Sequence, residues 1–337
     1  GRLGAQTTRG GVRASTSERK APGQSGFASA SAFLIVQRSL PSDDRRSPPR
    51  VLMVFPRLRW CCHVLAFAVV AMAVTVPARA SWPLFALDNG VGRGSWSAAQ
   101  QAAVLQELGY AGISYNYTNP QDLAVWRREL AARDLALFGL YVSVRLEREP
   151  VIPPGLPEAI EGLRGSGAVV WLVLPTPSAP GDYEERALSA LRTVADLAAP
   201  AGLRVVLYPH TRSYPATADQ ALPLVLRSGR ANVGLTVNLA HELAAGNGPA
   251  LPSILRRVAP VLDLVTLNGA TDRPAGGWEQ LIQVLGRGDY DVAALLEVLR
   301  EIRYAGPVGL QFYNVKGEPR ANLADARAAW QTLQAAP

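Results

Sequence analysis

The chain has 337 residues, with 34 lysines and arginines, 27 aspartates and glutamates, three histidines and two cysteines. Its excess of +7 sits at one end: residues 1–80 hold 12 of the basic and 3 of the acidic residues, which leaves 22 and 24 in the remainder, a net of −2. The high isoelectric point therefore gives no reason to expect nucleic acid or an anionic membrane as partner. Both cysteines, Cys61 and Cys62, lie in that first part, so residues 81–337 can form neither a disulfide nor a thiolate metal site.

Residues 1–52 are rich in Ser, Arg, Gly and Pro and show no sustained periodicity. Such a composition buries too little apolar surface to offset chain entropy. They are expected to be an upstream misread of the start or a disordered tail. Residues 53–80 have the order of a secretory signal peptide: Met53, a short basic region with Arg57 and Arg59, an apolar run from Val64 to Val76, then Ala78-Arg79-Ala80. That run is shorter than the roughly 20 residues of a membrane-spanning helix. The expectation is export to the periplasm or medium, cleavage before Ser81, and no stable membrane anchor afterwards.

From Ser81 onward, Val- and Leu-rich apolar runs alternate with amphipathic segments. Strands are predicted near 84–88, 112–116, 137–144, 168–174, 204–208, 233–238, 262–268 and 308–313. Helical patterns lie between them, among them Ala98–Leu108, Asp122–Ala132, Tyr183–Ala198, Ala218–Leu226 and Val292–Arg303. Eight strands each followed by a helix imply a parallel sheet, and at this length a (β/α)8 TIM barrel in a single domain over 81–337. A doubly wound open sheet is the alternative. It lacks the nucleotide-binding turn, because the Gly-rich run from Asp88 to Gly94 has the wrong spacing and reads as a flexible loop. Strand alternation places Ala86 and Asp88, Thr236 and Asn238, Thr266 and Asn268, and Gly309, Gln311 and Tyr313 inside the barrel. Phe85 and Leu87, Leu235 and Val237, Val265 and Leu267, and Val308 and Leu310 then face the helices.

The runs LQELGYAGISY (105–115), VVLYPH (205–210), VGLTVNLAH (233–241), LVTLNGA (264–270), GRGDYDVAALLEVLREIRYAGPVGLQFYN (286–314) and KGEPRANL (316–323) carry a resemblance. In them the chain resembles the sugar phosphate isomerase/epimerase group, the xylose-isomerase-like barrels, from about Leu84 to Leu333. The resemblance implies a divalent metal held by carboxylates and a histidine at the ends of strands five to eight, with two carboxylates moving protons on a sugar. The matching positions depart from that pattern. Tyr208 stands two residues before His210 where relatives place Glu, Asn238 replaces the Asp of the D-x-x-H that ends in His241, Thr266-Leu-Asn268 ends strand seven, and Gln311 replaces a Glu. Amides and phenols bring no standing negative charge to Mn²⁺ or Mg²⁺, and two histidines alone are short of a zinc set. No metal-ligand set is assigned, and any Mn, Mg or Zn would be weakly held. The same groups suit hydrogen bonding to sugar hydroxyls.

His210 and His241, the only histidines after the leader, are candidate proton carriers. Lys316, the only lysine after Lys20, is a candidate for polarising a carbonyl, and Asp88 is the carboxylate best placed on a strand end. Glu147 and Glu242 are weaker alternatives. Asn116, Tyr208, Asn238, Asn268, Gln311 and Tyr313 are the candidate substrate contacts, and His210, His241 and Lys316 are expected to converge on one cavity. Trp82, Trp96, Trp171, Trp278, Tyr115 and Tyr117 include candidate stacking surfaces among which the sequence does not choose. The expected partner is a small carbohydrate, not nucleic acid, with the oligomeric state left open. The expected activity is isomerase- or epimerase-like, on a non-phosphorylated sugar or sugar derivative. The alternatives are a non-catalytic carbohydrate-binding barrel and a lyase or hydrolase acting on an oxidised glycoside.

Overall fold

The computed structural model describes residues 81–147, 149, 151–176, 181–272 and 277–335. The expected signal peptide and the segment before it lie outside these residues. Eight strands, β1 (Leu84–Leu87), β2 (Gly112–Asn116), β3 (Ala136–Ser143), β4 (Val169–Val173), β5 (Arg204–Leu207), β6 (Val233–Asn238), β7 (Leu262–Leu267) and β8 (Val308–Leu310), pair in sequence order. Each pairing is parallel, and β8 returns to β1 through Leu84 opposite Val308 and Ala86 opposite Leu310, which closes the barrel. The (β/α)8 architecture expected from the alternation is the one observed.

Among the described residues ten helices follow the strands: α1 (Ala98–Glu107), α2 (Pro120–Ala131), α3 (Leu156–Gly162), α4 (Tyr183–Ala198), α5 (Ala218–Ser228), α6 (Leu239–Ala244), α7 (Leu251–Val258), α8 (Trp278–Leu281), α9 (Val292–Glu301) and α10 (Pro319–Ala335). Local chemistry sets their starts. Ser97 and Gln100 form a capping box on α1. Asn119 caps α2 just ahead of Pro120, and Asp291 accepts from the Ala294 amide at the start of α9. Their apolar sides cover the barrel, where Val170, Leu172, Val205, Leu207, Leu235, Val265 and Leu310 form one continuous core with helix residues such as Leu191 and Leu296.

A separate apolar cluster fills the barrel axis: Phe85, Leu87, Trp171, Val173, Val206, Tyr208 and Leu264. This corrects the facing expected for β1. Phe85 and Leu87 point inward, while Ala86 packs in the outer core. The reason is volume: a barrel interior must be filled by side chains, and β8 offers Gly309 opposite. A Cβ on Gly309 would sit 2.5 Å from the Phe85 ring. The facings expected for β6 and β8 and for Val265, Thr266 and Leu267 of β7 are the observed ones, while Asn268, beyond the end of β7, turns into the following loop. The Gly-rich run after β1 is also not a loose loop, since Asp88–Gly90 form a 3-10 turn. That turn breaks the strand alternation and brings Asp88 to the barrel mouth although its neighbour Leu87 faces inward.

Phe85→Ala removes a fully buried ring and is expected to destabilise the fold by about 3–5 kcal/mol. Gly309→Ala is expected to cost about 1–3 kcal/mol by overpacking against that ring. Urea unfolding reads both. Combining Gly309→Ala with Phe85→Leu should cost less than the two single changes added, because the smaller side chain makes room for the new methyl.

Candidate functional site

The C-terminal ends of the strands enclose a cavity of about 490 Å³. Its inner wall is aromatic. Tyr208 stacks on Trp171 with ring centroids 4.5 Å apart, and Tyr141 meets both rings edge-on at 5.9 and 6.0 Å. Trp171 is fixed by its indole N–H, which donates to Thr236 Oγ1 at 2.7 Å in the barrel interior. Burial holds the Tyr208 phenol far above its usual ionisation range and pushes that of Tyr141 up to about 12, so both are neutral hydrogen-bonding groups.

The polar rim is built from loops that the sequence keeps far apart. Asp88 accepts from Arg93 Nη1 at 3.2 Å and from the Asn116 backbone N–H at 3.0 Å. Burial raises its carboxyl above the ordinary range, and the Arg93 charge opposes that rise. Asn89 donates to Gln311 Oε1 at 2.6 Å and accepts from the Phe312 N–H at 3.2 Å, tying the turn after β1 to the end of β8. Asn116, Gln311 and the half-exposed Tyr313 all line the cavity, as does Arg212, held in the left-handed region at φ 65°.

The two histidines meet, with ring centroids 3.9 Å apart, and one residue orients both. The Thr211 carbonyl lies 2.7 Å from His210 Nδ1. A carbonyl can only accept, so Nδ1 carries the proton and the neutral ring of His210 keeps a lone pair on Nε2. The Thr211 hydroxyl and backbone N–H lie 3.1 and 3.5 Å from His241 Nδ1. A backbone N–H can only donate, so that nitrogen accepts and the proton of His241 sits on Nε2. The two rings thus hold opposite tautomers. His241 Nε2 is buried without a partner, next to the Trp278 ring at 5.5 Å. Desolvation, with a smaller contribution from His210, lowers the His241 pKa to about 2, and desolvation lowers that of His210.

Three expected site residues do not reach the cavity. Lys316 is exposed beyond β8 with its ammonium on Asn314 Oδ1 at 2.9 Å, so the expected convergence with the histidines is corrected. Lys316 lies in the segment between β8 and α10, past the last cavity-lining residue of that segment, Tyr313. Asn238 supports the wall from behind, donating to Tyr208 Oη at 2.9 Å and Thr266 Oγ1 at 2.6 Å while its carbonyl accepts from the His241 N–H. Asn268 is turned into the loop after β7, donating to the Gly269 and Leu281 carbonyls. Of the weaker carboxylates, Glu242 is buried, accepting from the Ala218 N–H and Asn247, and Glu147 pairs with Arg145. Sequence reading missed Tyr141, Thr211, Arg93 and Arg212. Position beside a candidate proton carrier was the one signal for Thr211, and Tyr141 lay unremarked within a predicted strand.

The donor set does not fit a hard divalent cation. Among the described residues no three His, Cys, Asp or Glu side chains gather where they could hold a metal ion. At the relevant strand ends the Asn238 amide nitrogen faces hydroxyls, the Gln311 carbonyl accepts from Asn89, and the Tyr208 phenol is neutral.

Residues 163–333 match the family described as xylose isomerase-like TIM barrel. The chain belongs to that family. No curated protein matches the sequence. Solved structures similar to this family member include D-allulose 3-epimerase from Methylomonas sp., 17% identical over 75% of this chain and 98% of the other, with a TM-score of 0.60. The 3-keto-D-glucoside 4-epimerase of E. coli is 15% identical over 75% of this chain and 99% of its own, with a TM-score of 0.59. The IolI protein, solved with a zinc atom, is 18% identical over 74% and 97%, with a TM-score of 0.57. At these identities the likeness establishes the shared barrel.

The buried histidines make stability depend on pH. An unfolded chain protonates them near pH 6.5, whereas the fold keeps His241 neutral down to about 2. The unfolded state therefore binds more protons in acid, so this contribution is complete above about pH 6.5 and is lost as pH falls toward 2. His241→Gln should flatten the fall in melting temperature between about pH 6.5 and 4, as read by thermal melts across that range.

Proposed function

We propose that this barrel acts on a non-phosphorylated sugar or sugar derivative by isomerase- or epimerase-like proton transfer, without relying on a tightly held metal. The observation that carries the reading is the histidine pair set in opposite tautomers by Thr211, at the edge of an aromatic and amide-lined cavity. His210 Nε2 is the free lone pair, suited to take a proton from a carbon next to a carbonyl. The electron pair then moves onto the carbonyl oxygen, where the Arg212 guanidinium and the rim amides are the available stabilising groups. Asp88, whose pKa burial raises, is the rim carboxyl that can take a proton from solvent and return it to the carbon, while the His210 imidazolium releases its proton to solvent. Aromatic faces beside amides are a surface that recognises a sugar ring, apolar on its C–H side and polar at its edge. The epimerase names of the two similar structures agree with this chemistry.

A second reading, sugar binding without turnover, is favoured by one observation: buried histidines with lowered pKa values are weak bases. Deuterium exchange separates the two. EDTA-dialysed protein incubated in D2O with a panel of ketohexoses is expected to exchange the C–H beside the carbonyl, as read by NMR. His210→Gln should slow that exchange by about 10²–10⁴-fold while calorimetry shows sugar binding retained. Binding with no exchange in the wild type would leave only the second reading.

Export belongs to the same proposal, since free sugars and glycosides are encountered outside the cell. N-terminal sequencing of exported protein should begin at Ser81; recovery of folded cytosolic protein that retains residues 53–80 would refute it.

A further inference from the structure

We infer that a second sugar subsite opens beside the main cavity, between the turn after β1 and the starts of α1 and α2, and that the ligand is a glycoside spanning both. This inference rests on the sugar reading of the main cavity. The annexe has a volume of about 350 Å³ and shares a wall with the main cavity, made by Asp88, Arg93 and Asn116. Each space lies in the range that takes one small organic ring, and the shared wall lets one molecule pass from one to the other.

The annexe has the chemistry of a built sugar site. Trp96 and the exposed Val125 supply apolar surface, and Thr118, Asp122 and Gln101 supply polar atoms. Trp96 is held in place by Gly92, at φ 66°, where any Cβ would collide with its ring. Gln101 is only 5% exposed; its Nε2 donates to the Trp96 carbonyl at 2.8 Å while its Oε1 has no partner. An unpaired buried acceptor is costly, and it places an unused polar atom of Gln101 behind the annexe wall. The annexe sets one cation, Arg93, against two carboxylates, Asp88 and Asp122, so it is a poor home for a phosphate or a carboxylate. An uncharged polyol such as a second sugar ring fits it. The glycosidic oxygen then lies along the wall of Asp88, Arg93 and Asn116.

Titration calorimetry on the full chain tests this with D-glucose and D-fructose against maltose, cellobiose, trehalose and sucrose. At least one disaccharide should bind the wild type ten-fold or more tightly than either of its monosaccharides. Val125→Trp, at a position 40% exposed and lining only the annexe, fills that space. It should remove the disaccharide gain while monosaccharide affinity and melting temperature stay near wild type. Disaccharides that bind no better than monosaccharides, or a gain that survives Val125→Trp, overturn the subsite and leave the sugar reading of the main cavity standing. Absence of binding by every sugar overturns both.

Discussion

The stack of Tyr208 on Trp171 is the contact on which the rest of the site depends. It closes the barrel axis from below and makes the inner wall of the cavity from above. Its phenol oxygen accepts from Asn238, whose carbonyl in turn accepts from the backbone N–H of His241 at the start of α6. Thr211 then links His241 to His210. A ring pair buried in the barrel is thus connected through Asn238, His241 and Thr211 to His210 at the cavity. The aromatic at position 208 brings a neutral phenol to the inner wall, so the charged groups lining the mouth are Asp88, Arg93 and Arg212 at its rim.

An uncharged inner wall limits what the mouth can do. Proton transfer beside a carbonyl requires a base and a way to hold the charge that develops on oxygen. In the proposed reaction the base is an imidazole tautomer, and a guanidinium and amides hold the charge. Burial keeps the histidines neutral, which suits one lone pair and one N–H donor over an imidazolium pair. The same burial weakens them as bases, and this is the trade-off that separates an enzyme from a binding protein built on the same cavity.

The turn after β1 has an influence out of proportion to its length. It carries Asp88 to the rim, Asn89 to the end of β8, and Arg93 to the wall between the two spaces. Its glycines permit the tight path, so a stretch that looks like loose linker by composition is the partition between two cavities.

Eight alternating strands, the helix starts and the polar strand ends at Tyr208, His210, His241 and Gln311 were legible in the sequence, because periodicity, capping and turn chemistry are local properties. So was the departure from a metal-ligand pattern, which is a matter of residue identity alone. The inward turn of Phe85 and Leu87 was not legible, because facing depends on what Gly309 leaves open across the ring, more than two hundred residues away. Nor was the exposed position of Lys316, whose ammonium rests on Asn314. Asn238 and Asn268 had the right residue type at the right strand ends, yet neighbouring hydroxyls and carbonyls turned them into supports. The histidine tautomers were set only when closure brought Thr211 between two rings. Sequence determines which groups each strand delivers to the mouth; closure of the barrel decides which of them face the ligand, because a closed ring has one interior volume and every inward side chain must share it.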